Sequence, residues 1–117
     1  MNNFKALKIW QKGLFIATKT YQFTSTFPKE EKYGLAAQLN KAAVSVSSNI
    51  AEGCSRRSDN DYYRFLEISL GSAFETETQL LIAQAVNFGD ALLRTELLEH
   101  IDQEQKMIIA YMKTLSG

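Results

Sequence analysis

Proline is almost missing from this chain: Pro28 is the single copy in 117 residues, and only six glycines accompany it. A turn-rich all-β fold needs more of both, so that class is set aside. Cysteine is as scarce. Cys54 alone excludes an intramolecular disulfide framework and a cysteine-built zinc cluster. No stretch approaches about 18 uninterrupted apolar residues, so no membrane-spanning helix is expected. The opening Met1-Asn2-Asn3-Phe4-Lys5 has no apolar signal core, and a cytoplasmic location is expected. Net charge is also absent, with 13 Lys and Arg against 13 Asp and Glu. What remains is ordinary for a folded protein: 45% hydrophobic and 22% charged residues. A chain of this length buries roughly 60–70% of its unfolded surface, enough for one core. A single domain over residues 1–117 is expected.

The neutral total conceals a division. Residues 1–58 hold Lys5, Lys8, Lys12, Lys19, Lys29, Lys32, Lys41, Arg56 and Arg57 against Glu30, Glu31 and Glu52. Residues 59–117 hold four basic side chains against ten acidic ones. The halves therefore carry +6 and −6. Either they attract each other across a folded bundle, or the basic half offers a face to phosphate.

Apolar spacing predicts four helices and no strand. The first covers about 4–25, with Leu7, Trp10, Leu14, Ala17 and Tyr21 on the stripe expected to face inward. The second covers about 29–55, after Pro28, with Leu35, Leu39, Ala42, Val46 and Asn49 in line. Ser58-Asp59-Asn60-Asp61 supplies N-cap residues for a third helix over about 60–87, carrying Leu66, Ala73 and Leu80 at heptad spacing. Asn87-Phe88-Gly89-Asp90 reads as a cap and turn. The fourth covers about 91–115 with Leu97, Ile101, Glu104, Ile108 and Leu115 on one stripe. Short links make sequential helices antiparallel neighbours, so an all-α, up-down-up-down four-helix bundle is expected.

Chemistry-bearing patterns are few. Cys54 and the lone His100 fall on different helices, and nothing places them together. Glu96, Glu99 and His100 cluster, but a bundle di-metal site needs Glu-x-x-His from two helices and a second His does not exist. No phosphate-binding glycine loop is present. No catalytic residue, metal or cofactor is assigned, and an enzyme is not expected. Polar residues at interior-looking positions are more informative. Gln38, Ser45, Asn49, Glu52 and Glu75 are read as a structural polar network. The competing reading is a ligand or metal site, or an active site, built from Glu75, Glu77, Asn49 and Gln38. Lys41, Arg56, Arg57 and Arg64 are the candidate phosphate contacts, against ordinary solvation at a helix end. On helix 1, Ile9, Ile16 and Phe23 repeat at sevens, about 200° from the other stripe at 100° per residue. A helix apolar on both sides needs a second partner, most simply another copy of the chain.

The segment Ser45-Val46-Ser47-Ser48-Asn49-Ile50-Ala51-Glu52-Gly53 resembles the signature of the bacterial four-helix-bundle proteins encoded in intervening sequences of 23S ribosomal RNA genes. Trp10, Tyr21, Phe27-Pro28, Tyr33-Gly34-Leu35, Gln38-Leu39, Gly71-Ser72, Glu75 and Glu77-Thr78-Gln79-Leu80 fit the same pattern, over roughly residues 7–85. Ala73-Phe74 and Lys41 depart from it. The resemblance implies a left-handed antiparallel bundle, a homo-oligomer that is typically a pentamer, and no known enzymatic activity. Accessory factors of the same fold bind nucleic acid and a reverse transcriptase through a strongly basic surface, which this neutral chain lacks as a whole. The function expected is a non-enzymatic oligomeric module, with structured RNA or DNA or a nucleic-acid-handling protein as its partner.

Overall fold

A computed structural model describes residues 3–116. Four helices carry the fold: α1 (Lys8–Thr24), α2 (Leu35–Gly53), α3 (Asp59–Ala85) and α4 (Ala91–Ser116). Single 3₁₀ turns at Phe4–Ala6 and Lys29–Glu31 precede α1 and α2. The second helix therefore starts six residues later than its spacing suggests. Pro28 opens only the 3₁₀ turn, and Gly34 breaks the helical path with φ −100° and ψ −121°. The Ser58 side chain accepts from the Asp61 N–H at 3.1 Å and starts α3, as its residue type requires.

Each helix packs on its neighbour in sequence, and α4 closes back on α1. The two ends of the bundle are marked by contacts between distant segments. At one end Phe27 meets Phe88, with ring centroids 5.7 Å apart, and the Asp90 N–H donates to Thr26 at 2.8 Å. At the other end Cys54, Tyr62 and Tyr111 meet. The chain thus reverses at each connection within a body 44 Å long. The basic pair α1–α2 lies on one side and the acidic pair α3–α4 on the other.

The register of α1 corrects the sequence reading. Ile9, Ile16 and Phe23 are in the core, Ile16 and Phe23 with no exposure at all, whereas Leu14 and Tyr21 stand about half exposed. The line expected to meet a second copy is the line that fills the chain's own bundle. Small residues explain the choice. Gly13 and Thr20 share the face of Ile9 and Ile16. A Cβ at Gly13 would stand 3.2 Å from Ser47 Cβ, so α1 and α2 approach closely only with this face turned in. A charge placed at Ile16 would break the core and report nothing about assembly.

The interior also holds polar side chains: Thr20, Ser47, Ser69, Thr76, Gln79, Glu104 and Gln105. Ser69 Oγ donates to the Val46 carbonyl at 2.7 Å and ties α3 to α2. Gln105 Nε2 donates to Glu77 Oε1 at 2.8 Å and ties α4 to α3. Neither oxygen of Glu104 has a partner.

Candidate nucleic-acid and assembly surfaces

The residues expected to form an interior polar network lie outside the core. Asn49 is half-buried and donates to the Ser45 carbonyl of its own helix at 2.8 Å, while Ser45 Oγ donates to the Lys41 carbonyl at 2.9 Å. Glu52 is exposed and pairs with Arg56 at 3.5 Å. Gln38 and Glu75 are exposed and face each other across a shallow α2–α3 depression of about 390 Å³ that also takes in Lys41 and Ser45. The reason is angular. Asn49 stands ten residues beyond Leu39, which puts it at the edge of the apolar stripe at 100° per residue. Glu77 points instead toward Gln105 on α4. The four residues of the ligand or enzyme reading therefore do not converge.

His100, Glu96, Cys54 and Tyr62 are tied into local contacts. His100 Nδ1 lies 3.0 Å from Lys12 Nζ, and its ring meets Phe15 edge-on. Burial, then Lys12 and Lys19, lower its pKa. Glu96 pairs with Lys19 at 2.7 Å. Cys54 is buried, with its sulfur 3.3 Å from the Tyr62 hydroxyl, which donates onward to Tyr111 at 3.0 Å. Burial foremost, then the Cys54 and Tyr111 hydrogen bonds, raise the Tyr62 pKa and keep the phenol protonated. Among the described residues, no three His, Cys, Asp or Glu side chains form a group able to hold a metal ion.

The four basic candidates are all exposed, but they do not form one patch. Arg56 and Arg57 sit in the α2–α3 connection and Arg64 one turn into α3. The Arg56 guanidinium stacks over Phe65 at 4.4 Å. Lys41 lies about 18 Å back along α2 from Gly53, at 1.5 Å per residue. It belongs with a different set. A cleft of about 570 Å³ runs between the end of α1 and the start of α2, lined by Tyr21, Ser25, Pro28, Lys29, Lys32 and Asn40 among others. A second hollow of about 530 Å³ continues it, sharing Tyr21, Lys32 and Asn40 and adding Tyr33, Lys41 and Val44. Thr24 Oγ1 donates to Asn40 Oδ1 at 2.9 Å and joins the two helices there. Lys29, Lys32, Tyr21 and Tyr33 were not singled out from the sequence as binding residues. Lysines beside exposed tyrosines around a helix turn are the signal that could have found them.

One more surface stands out. On the outward side of α3, Gly71, Thr78 and Ala85 repeat at sevens. Phe74 and Leu81 flank that line on one side and Ile68, Ile82 and Val86 on the other, each of the five nearly half exposed. The distance from Ile68 to Val86 is about 27 Å of helix. Exposed Glu67 and Glu75 interrupt the row, which is otherwise the kind of clustered apolar surface that marks a protein–protein contact.

The family model described as "23S rRNA-intervening sequence protein" matches residues 5–110. A solved structure from Bacteroides thetaiotaomicron, a protein with unknown function from the S23 ribosomal protein family, has a similar fold at a TM-score of 0.82. The likeness covers 90% of this chain and 95% of that one at 22% sequence identity. No curated protein matches the chain.

Proposed function

This chain belongs to the 23S rRNA-intervening sequence protein family, and from that premise we propose that it is a non-enzymatic cytoplasmic module that assembles with copies of itself and binds structured RNA or DNA, or a protein that handles nucleic acid. The observation that carries the assembly is the outward face of α3. Ile68, Phe74, Leu81, Ile82 and Val86 leave apolar area in water that a second copy would cover. The small residues between them let a neighbouring helix approach. A closed assembly uses the same patch on every subunit and leaves no free end. Five subunits is the number that the family resemblance implies. No helix of the described residues is long and apolar enough to cross a membrane.

Light scattering on a sizing column tests the assembly. The wild type is expected at a multiple of its 13.2 kDa subunit mass. Leu81→Asp is expected to run as a folded monomer, because the charge sits on an exposed position and not in the core. A monomeric wild type removes self-assembly. An oligomeric Leu81→Asp moves the interface elsewhere.

The basic half carries the second part of the reading. Filter binding at low salt is expected to retain ribosomal RNA fragments or DNA, with affinity falling as salt rises. If nothing is retained, nucleic acid is not the partner and a protein takes its place.

A further inference from the structure

We propose that the α1–α2 cleft is a binding site for single-stranded nucleic acid, with Tyr21 and Tyr33 as platforms for unpaired bases and Lys29, Lys32 and Lys41 as contacts to the phosphates between them. The inference rests on the nucleic-acid reading above and deepens it.

Three observations meet at this place. First, the cleft and its continuation are lined by both tyrosines and all three lysines. Second, the aromatic rings are presented to solvent: Tyr21 is 54% and Tyr33 87% exposed, a high degree for such large side chains. Tyr33 already holds a cation over its ring, with Lys32 Nζ 5.5 Å from the centroid. The face of the ring that Lys32 leaves uncovered is open to a base. Third, no carboxylate holds the lysines. Lys29, Lys32 and Lys41 form no ion pair with another described residue.

The acids nearby do not cancel them. Glu30 and Glu31 share the turn, but the Glu31 carboxylate points at the start of α2, where it accepts from the Leu35 N–H at 3.4 Å. No other acid occurs between Lys8 and Ala51, and Glu75 of α3, which borders Lys41 across the α2–α3 depression, forms no ion pair with it.

The chemistry of the lining selects the ligand. A duplex hides its base faces inside the stack, so exposed tyrosines gain nothing from it. A single strand offers a π-face at every base and a phosphate between each pair. Mixed aromatic and basic linings of this type track single strands with little sequence preference. The cleft has no means of distinguishing a ribose from a deoxyribose that the residues above reveal, so RNA and DNA strands are separate arms of the test.

The test is fluorescence anisotropy with labelled oligouridine, oligothymidine and a duplex RNA of the same length, at several salt concentrations. The wild type is expected to bind the single strands more tightly than the duplex. The logarithm of affinity should fall with the logarithm of salt with a slope of about −2 for three phosphate contacts. Tyr33→Ala, at a position too exposed to matter for folding, should weaken single-strand binding about tenfold and leave the slope unchanged. Lys29→Ala with Lys32→Ala should weaken it and reduce the slope by about 1.4. Arg56→Ala with Arg57→Ala should change little. If the wild type binds none of the three probes, the nucleic-acid reading itself fails and takes the cleft with it. If it binds but only the arginine variant is affected, that reading stands and the cleft is the wrong site. Equal affinity for duplex and single strand, with Tyr33→Ala indifferent, also overturns the inference. Binding by one of oligouridine and oligothymidine alone keeps the site, and oligodeoxyuridine then separates the sugar from the thymine methyl.

Discussion

The melting temperature of the wild type is expected to fall by roughly 10–20 °C between pH 5 and pH 9, and Glu104→Gln is expected to remove most of that fall. Glu104 is fully buried and neither carboxylate oxygen has a hydrogen-bond partner. Burial pushes its pKa from 4.5 up to about 8, with Lys12 pulling weakly the other way. The folded state therefore keeps a proton that the unfolded state releases above pH 4.5. Below that pH both states are protonated and burial of the carboxyl costs nothing extra. Between 4.5 and about 8, each pH unit costs up to about 1.4 kcal/mol, and above the folded value the cost levels off. The total is on the order of 3–5 kcal/mol, a large share of the stability of a small domain. His100 acts in the opposite sense. Its lowered pKa means that the folded state resists protonation, so that contribution grows as pH rises toward its unfolded value of 6.5 and levels off above it. The Gln variant separates the two, because it leaves His100 and Lys12 in place. A flat wild-type profile, or the same slope in Glu104→Gln, would show that the carboxylate reaches water.

Gly89→Ala is expected to cost about 2–4 kcal/mol, while the same change at Gly71 is expected to add up to about 1 kcal/mol. Gly89 has φ +82°, in the left-handed region. A Cβ there would stand 2.6 Å from Phe23 and 2.8 Å from Phe27, two rings stacked edge-on at the end of the core. Backbone strain and a clash with fully buried Phe23 add together. Gly71 lies inside α3 with nothing of its own subunit within 4 Å of where its Cβ would be, so alanine there supplies helix propensity without a clash inside the bundle. Denaturant unfolding of the two variants checks the pair. Equal tolerance at both positions would mean that the α3–α4 turn yields easily.

The four helices and both ends of α3 were legible because the signals are local, whereas the start of α2 was misplaced by six residues. Ser58 caps α3, and Asn87 and Gly89 both take positive φ where the residue types called for a turn. The register of α1 was not legible from apolar counting, since both of its stripes are apolar. The deciding feature was which stripe carried Gly13 and Thr20, and this is a property of the α1–α2 contact. Asn49 looked internal for a related reason: a residue at the edge of a stripe and one at its centre differ by less than one helical step. Glu104 stood on the α4 stripe in the sequence, but only the packing shows that its oxygens are left without partners. The cleft is hardest to read, because its lining comes from the end of α1, the turn and two turns of α2. No contiguous motif joins Tyr21 to Lys41.

The placement of α1–α2 opposite α3–α4 gives an uncharged protein a permanent electric polarity. Its attraction to a charged molecule depends on which way it is turned, not on its net charge. In a uniform field it would rotate and not migrate. A polyanion approaching α1–α2 is drawn in, and the same polyanion approaching α3–α4 is turned away by Asp59, Asp61, Glu67, Glu99 and Asp102, all exposed. Within about a Debye length, some 8 Å at physiological salt, this polarity sorts productive from unproductive encounters before any side chain makes contact. A strand held on one side of such a body has no electrostatic reason to wrap around it.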